Sequence, residues 1–261
     1  MNKVIRAEFG RTINAGLIIA IAGIIFSICF DSFNDLIAGL RNGQGYVGYF
    51  FSNAAFGGMC THYMLPVFTA LPFSVSLCQE RNNKAVSYIV SREGKNRYIF
   101  AKFIVSAISG GFVAACGTVL LFLMLAMRFP IAGDEFEGAV VSDYFHEWSA
   151  VYYPQLYILT LSILAFCRGV IWSSLALCVS LYTSDFMVVL LSPFLGSYVL
   201  VRIFQIIRVP DMVRPDMILI GQVVIKSSGL TLLIAIAISL TIVTLIGAFF
   251  VGKMKEGLKS G

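Results

Sequence analysis

Apolar residues run through this chain in long stretches that no charge interrupts. Asp, Glu, Lys and Arg are absent from 12–30, 42–79, 103–127, 148–167, 169–184, 186–201 and 227–252. A bilayer-crossing helix needs about 20 mostly apolar residues, so the pattern predicts an all-α polytopic membrane protein with six transmembrane helices. They fall at about 14–33, 56–77, 103–126, 161–183, 186–204 and 229–252. Ahead of them, Val4, Ile5, Phe9 and Ile13 recur at helical spacing within 1–13, with Lys3, Arg6 and Arg11 near the polar side. That predicts an amphipathic helix on the inner membrane surface. No A-x-A-like cleavage pattern follows the apolar run at 17–30, so it reads as a retained first span.

The stretch 148–204 holds either two spans or three. Three would put the C-terminal Lys253, Lys255 and Lys259 on the side opposite the N-terminus, so two are preferred. Residues 148–160 then form an interfacial aromatic stretch broken at Pro154, and Ser184 or Asp185 caps span 5. Between spans 5 and 6 the near repeat Arg208-Val-Pro-Asp211 and Arg214-Pro-Asp216 precedes MILIGQVVI, nine residues and too few to cross. This outer hairpin, 205–228, is either a re-entrant half-helix or a loop lying flat.

Charge sets the orientation. The 79–102 loop carries Arg81, Lys84, Arg92, Lys95, Arg97 and Lys102 against Glu80 and Glu93, and by the positive-inside rule it is cytoplasmic. The next loop reverses the balance, with Asp134, Glu135, Glu137, Asp143 and Glu147 against Arg128. An N-in/C-in arrangement places 12 of 19 basic residues inside and 9 of 14 acidic residues outside. Composition agrees: 13% charged residues and a mean hydropathy of +0.86 stand against about 25% charged in soluble domains. The chain reads as one transmembrane domain over 1–261. Outside the spans no stretch exceeds about 35 residues, too few for a separate catalytic domain. An energy source or large partner therefore belongs on another chain.

Catalytic chemistry is not legible. No G-x-x-x-x-G-K-[ST] phosphate loop occurs, since Gly94-Lys95-Asn96 lacks the earlier glycine and the hydroxyl. His62 and His146 are the two histidines, too few for a metal or haem site at depth. No G-x-S-x-G nucleophile is present. The six cysteines lie in or beside apolar runs and read as small buried hydrophobes. Arg168 is a basic residue set inside a strongly apolar run. It either snorkels or pairs structurally, or lines a substrate path. Ala107, Gly111 and Ala115, with Gly110, Ala114 and Thr118, make small-residue rows that admit a close helix neighbour.

Within 79–102, Ala85, Val86, Ile89 and Val90 form an apolar stripe beside Glu80, Arg81, Lys84 and Arg92. A span ending at Glu80, this short amphipathic helix, the basic turn Gly94-Lys95-Asn96-Arg97-Tyr98 and Lys102 opening the next span together resemble the first cytoplasmic loop of ABC-2 type transporter permeases. The order of elements along the chain is similar to that family as well, in its type V exporter-like architecture. The long acidic loop and Arg168 have no counterpart in the pattern.

The resemblance implies a permease subunit of an ATP-binding cassette exporter in the bacterial cytoplasmic membrane. It implies two permease chains, identical or related, driven by a separate ATP-binding subunit that holds the ATP and Mg. This chain itself would be no enzyme and hold no cofactor; its partners would be that ATPase, the second permease and membrane lipid, with no nucleic acid. Glu80, Arg81, Val86, Ile89, Val90 and Arg92 are expected to dock the ATPase, and Arg168, Arg208, Asp211, Arg214 and Asp216 to line a pathway or gate. The aromatic-rich, weakly charged spans suggest an amphipathic or apolar cargo such as a peptide, drug or lipid-linked molecule. The alternative is a non-transporting accessory or immunity protein, or an ATP-independent channel.

Overall fold

A computed structural model describes residues 2–42, 47, 50, 58–131 and 153–257. The acidic loop at 134–147 lies outside them, as do 148–152 of the aromatic stretch. The described residues form helices and turns and no strand: α1 Asn2–Thr12, α2 Ala15–Asp31, α3 Phe33–Asn42, α4 Met59–Ala70, α5 Ser76–Asn82, α6 Val86–Glu93, α7 Lys95–Ala126, α8 Pro154–Val179, α9 Phe186–Ile207, α10 Pro215–Ile220 and α11 Ser228–Gly257. Four of them, α7, α8, α9 and α11, are long and apolar enough to cross a membrane; α1 and α2, bent by 56° at their junction, could make a fifth crossing as one broken helix.

That elbow has a local cause. Asn14 caps α2 by accepting from the Leu17 amide at 3.1 Å, while its own amide donates to the Arg11 carbonyl at 3.1 Å and reaches the Pro72 carbonyl at 3.4 Å. α1 therefore leaves the axis of α2 and lies along α7. Its inward face is Val4, Glu8 and Thr12, whereas Ile13 is exposed. The buried row thus differs from the apolar stripe expected over 1–13, because Glu8 finds a cation inside.

The second expected span is interrupted. α4 ends at Ala70 and turns fill 71–75 before α5. α4 nonetheless runs back along α2, since the Asp31 carboxylate receives the Cys60 and Thr61 amides at 2.9 and 2.6 Å at one end and Asn14 meets Pro72 at the other. Asp31 satisfies the orphan amides of the α4 start and faces the positive end of its dipole.

The starts of two long helices shift outward from the expected ones, while α8 ends at Val179, short of the expected 183. α7 begins at Lys95, not 103, and α8 begins at Pro154. Pro154 sits in the first turn of α8, where proline has no hydrogen bond to lose. Residues 154–160 are consequently helical. Asp185 is the cap of α9, accepting from Met187 and Val188 at 2.8 and 3.4 Å.

The core is built on the crossing of α7 and α8. A methyl group on Gly110 would meet Ser173 and come within 2.9 Å of the Gly169 carbonyl oxygen, and one on Gly111 would come within 2.6 Å of Val170. The small-residue rows of α7 thus receive a helix of the same chain. Ser74, Ser106 and the Ser173 carbonyl then link the 71–75 turn to both helices at 3.0 to 3.3 Å.

Candidate functional site

Two buried polar centres lie at opposite ends of this bundle. The first joins α1, α5 and α7. Lys102, fully buried, donates to Glu80 at 2.7 Å, Glu8 at 3.1 Å and Ser76 at 3.2 Å. Arg11 reaches Glu80 at 2.6 Å and Glu8 at 3.1 Å, and the Tyr98 hydroxyl donates to the other Glu80 oxygen at 2.5 Å. The Lys102 ammonium also stands 4.7 Å from the centre of the Phe73 ring. Two carboxylates and two cations balance, with Glu8, Glu80 and Lys102 buried and Arg11 half exposed at the rim, which makes burial of the three charges tolerable.

Glu80 is therefore turned inward. Arg81 donates to the Ser180 and Leu181 carbonyls, both at 2.9 Å, closing the C-terminal end of α8 with a positive charge. Val86, Ile89 and Val90 pack partly buried against a core of Leu77, Tyr98, Ile99, Leu177, Phe250 and Met254. The exposed face of α6 is Ser87, Tyr88, Ser91 and Arg92, with Arg92 bonded to its neighbour Glu93 at 2.8 Å. Of the six residues expected to dock a partner, Arg92 and part of Arg81 face outward. Lys95 binds the Lys255 carbonyl at 2.8 Å, and so the end of α11 joins this same end of the bundle.

The second centre lies between α4, α8, α9 and the α9–α11 connection. α9 stops at Arg208, which takes a left-handed conformation (φ 56°), and a short 3-10 turn, Asp211–Val213, leads to α10. Ile218, Leu219 and Ile220 are buried, with Ile218 and Leu219 in the main core, so α10 folds back into the bundle. Gly221, at φ 88°, then reverses the chain toward α11.

Arg214 gathers the acids here. It donates to Asp216 at 2.7 and 3.3 Å and to Asp211 at 3.1 Å. These hydrogen bonds, Asp216's first, raise its pKa above the ordinary guanidinium value. Arg208 is exposed and takes no part.

Arg168 lies mid-helix in α8, about 21 Å from Pro154 at 1.5 Å per residue, and is 8% exposed. It neither snorkels to the surface nor, among the described residues, pairs with an acid. Instead it lines adjoining cavities of about 210 and 120 Å3, which share His62, Val201, Asp216 and Ile220. The larger includes Gln205, Arg214 and Gln222. The smaller is walled by Ile171, Trp172, Leu175 and Leu200.

Sequence reasoning named Arg168, Arg214 and Asp216 but missed His62, Gln205, Gln222 and Trp172 as their neighbours. Trp172 was within reach, since it follows Arg168 by one helical turn. The six cysteines are free thiols, and no group of three metal-binding side chains occurs among the described residues. No family model, curated protein or solved structure matches the chain.

Proposed function

We propose that this chain is the transmembrane permease subunit of an ATP-binding cassette exporter of the ABC-2 type, carrying an amphipathic or apolar cargo outward across a bacterial cytoplasmic membrane. It crosses six times, counting the broken α4–α5 segment as one pass, with both termini inside. A second permease chain completes the pathway, and a separate subunit hydrolyses ATP.

The observation that carries the reading is α6. It is a helix of eight residues at the end of the bundle, polar on its outward face and seated by Val86, Ile89 and Val90 on side chains of α5, α7, α8 and α11. A soluble partner that moved α6 would move the ends of three long helices with it, as an ATP-driven device requires. The proposed docking surface is the outward face Ser87, Tyr88, Ser91 and Arg92, in place of the expected set Glu80, Arg81, Val86, Ile89, Val90 and Arg92, because the apolar stripe is packed against the bundle. The stripe becomes the transmitting face.

Co-expression with the products of its neighbouring genes, with a cassette ATPase expected among them, tests the reading. Tyr88→Glu combined with Arg92→Glu leaves insertion intact and abolishes co-purification of the ATPase. Undiminished co-purification removes α6 as the docking element, and failure of the parent chain to bind any such ATPase removes the permease reading.

A further inference from the structure

We propose that the cavity around Arg168 binds an anionic amphiphile, holding one oxyanion, carboxylate or phosphate, on the guanidinium and the first carbons of its chain against Ile171, Trp172 and Leu175. Arg168 lacks an acceptor among the described residues: it is 8% exposed and has no hydrogen bond or ion pair with them. Guanidinium groups keep their charge, and a buried charge is costly unless something compensates it.

The carboxylate that shares both cavities, Asp216, is already committed, with both its oxygens on Arg214. Arg168, Arg214 and Asp216 are the ionised side chains lining the two cavities, and Asp211 also holds Arg214 from the exposed side; both aspartates are thus spent on Arg214 and neither is bonded to Arg168. Water can occupy the two larger cavities that Arg168 lines, but there is little room for it on the far side of the guanidinium. A void of about 20 Å3 between Arg168 and the unpartnered Thr61 hydroxyl holds about one water, whereas a guanidinium presents five donors.

The shape of the site separates head from tail. In the larger cavity His62, Gln205 and Gln222 add polar groups around the charge. The smaller one, reached past the same Arg168, is walled mainly by aliphatic and aromatic carbon. Ligand pockets for whole drug-sized molecules span about 300 to 1,000 Å3, so volumes of about 210 and 120 Å3 take a headgroup and a few carbons. A longer tail extends beyond them. An anion with an adjoining chain satisfies both walls at once; an inorganic ion satisfies one.

Trp172 reports directly on the smaller cavity, and Trp148→Phe removes the other tryptophan. In that background the purified chain, in detergent and without any ATPase, is titrated with dibromostearate and with its methyl ester. Saturable quenching by the acid is expected, at an affinity about tenfold or more above that of the ester. Dodecyl phosphate should displace the acid, and inorganic phosphate should need a concentration about a hundredfold higher. Arg168→Gln weakens acid binding by about tenfold or more, and Arg168→Lys by less, because lysine keeps the charge without the fork.

Equal quenching by acid and ester overturns the proposal even if Arg168→Gln does not fold. Unchanged affinity in a folded Arg168→Gln overturns it too. Displacement by inorganic phosphate as strong as by dodecyl phosphate overturns the amphiphile assignment. The binding is measured on this chain alone, so it can fail or hold apart from the permease reading.

Discussion

Lys102 shows why a single side chain can govern three helices. It sits two turns into α7 with no exposure to solvent, bridging Glu8 of α1 and Glu80 of α5. Removing one partner of a buried ionic network leaves an uncompensated charge, a loss of about 3 to 5 kcal/mol. Lys102→Met should therefore lower the thermal midpoint of the detergent-solubilised chain substantially. Adding Glu8→Gln leaves Glu80 facing Arg11 and restores much of the loss, because the remaining charges balance again. A single variant that melts like the parent, or a double variant worse than the single, rules out charge balance as what holds α1 to the bundle.

At the scale of the element, the apolar runs were legible because lipid-facing and core positions are apolar alike. Helix boundaries were not. Hydropathy marks where the apolar run begins, but α7 starts eight residues earlier through Lys95 and Arg97, whose long side chains are compatible with a helix in water. Pro154, read as a break, opens α8. Glu80 and Arg168 illustrate the harder limit: the roles expected of them depended on which helices meet, and spacing along one helix carries no information on that.

The α7–α8 crossing is the element contact whose cost can be stated. A methyl on Gly169 would run into the carbonyl of Gly110, where backbone on both sides leaves nothing flexible to yield. Gly169→Ala should destabilise by about 1 to 3 kcal/mol, the range of overpacking, despite alanine's better helix propensity. Gly252→Ala in α11 is the control, since nothing lies within 4 Å of the new methyl, and it should gain up to about 1 kcal/mol. Thermal denaturation of the two variants side by side reads the difference; equal shifts would mean that the crossing is looser than this geometry.

For the whole molecule the deciding quantity is which end of the bundle faces the cytoplasm. α1, α5, α6, the start of α7 and the end of α11 meet at one end through Lys102, Arg81 and Lys95. Arg6, Arg11, Arg92, Arg97, Lys253 and Lys255 belong to those same elements, and Lys84 to the turn between α5 and α6. At the other end stand Asp31, Asp211 and Asp216, with Arg214 paired to two of them and Arg208 and Lys226 in the same connection, a smaller basic excess than at the first end. A membrane protein keeps its Lys- and Arg-rich connections on the cytoplasmic side, so the first end is expected inside, and because α1 and the end of α11 share it an even number of crossings is expected. Single cysteines on a background without native thiols test it in intact cells with a membrane-impermeant maleimide. Met212→Cys in the α9–α10 turn and Gly138→Cys, which lies outside the described residues, should label from outside. Lys84→Cys and Glu256→Cys should label only after permeabilisation. Labelling of positions 84 and 212 from the same side would place the two polar centres on one face of the membrane and end the six-span arrangement, whereas position 256 labelling with position 212 alone would make the count odd.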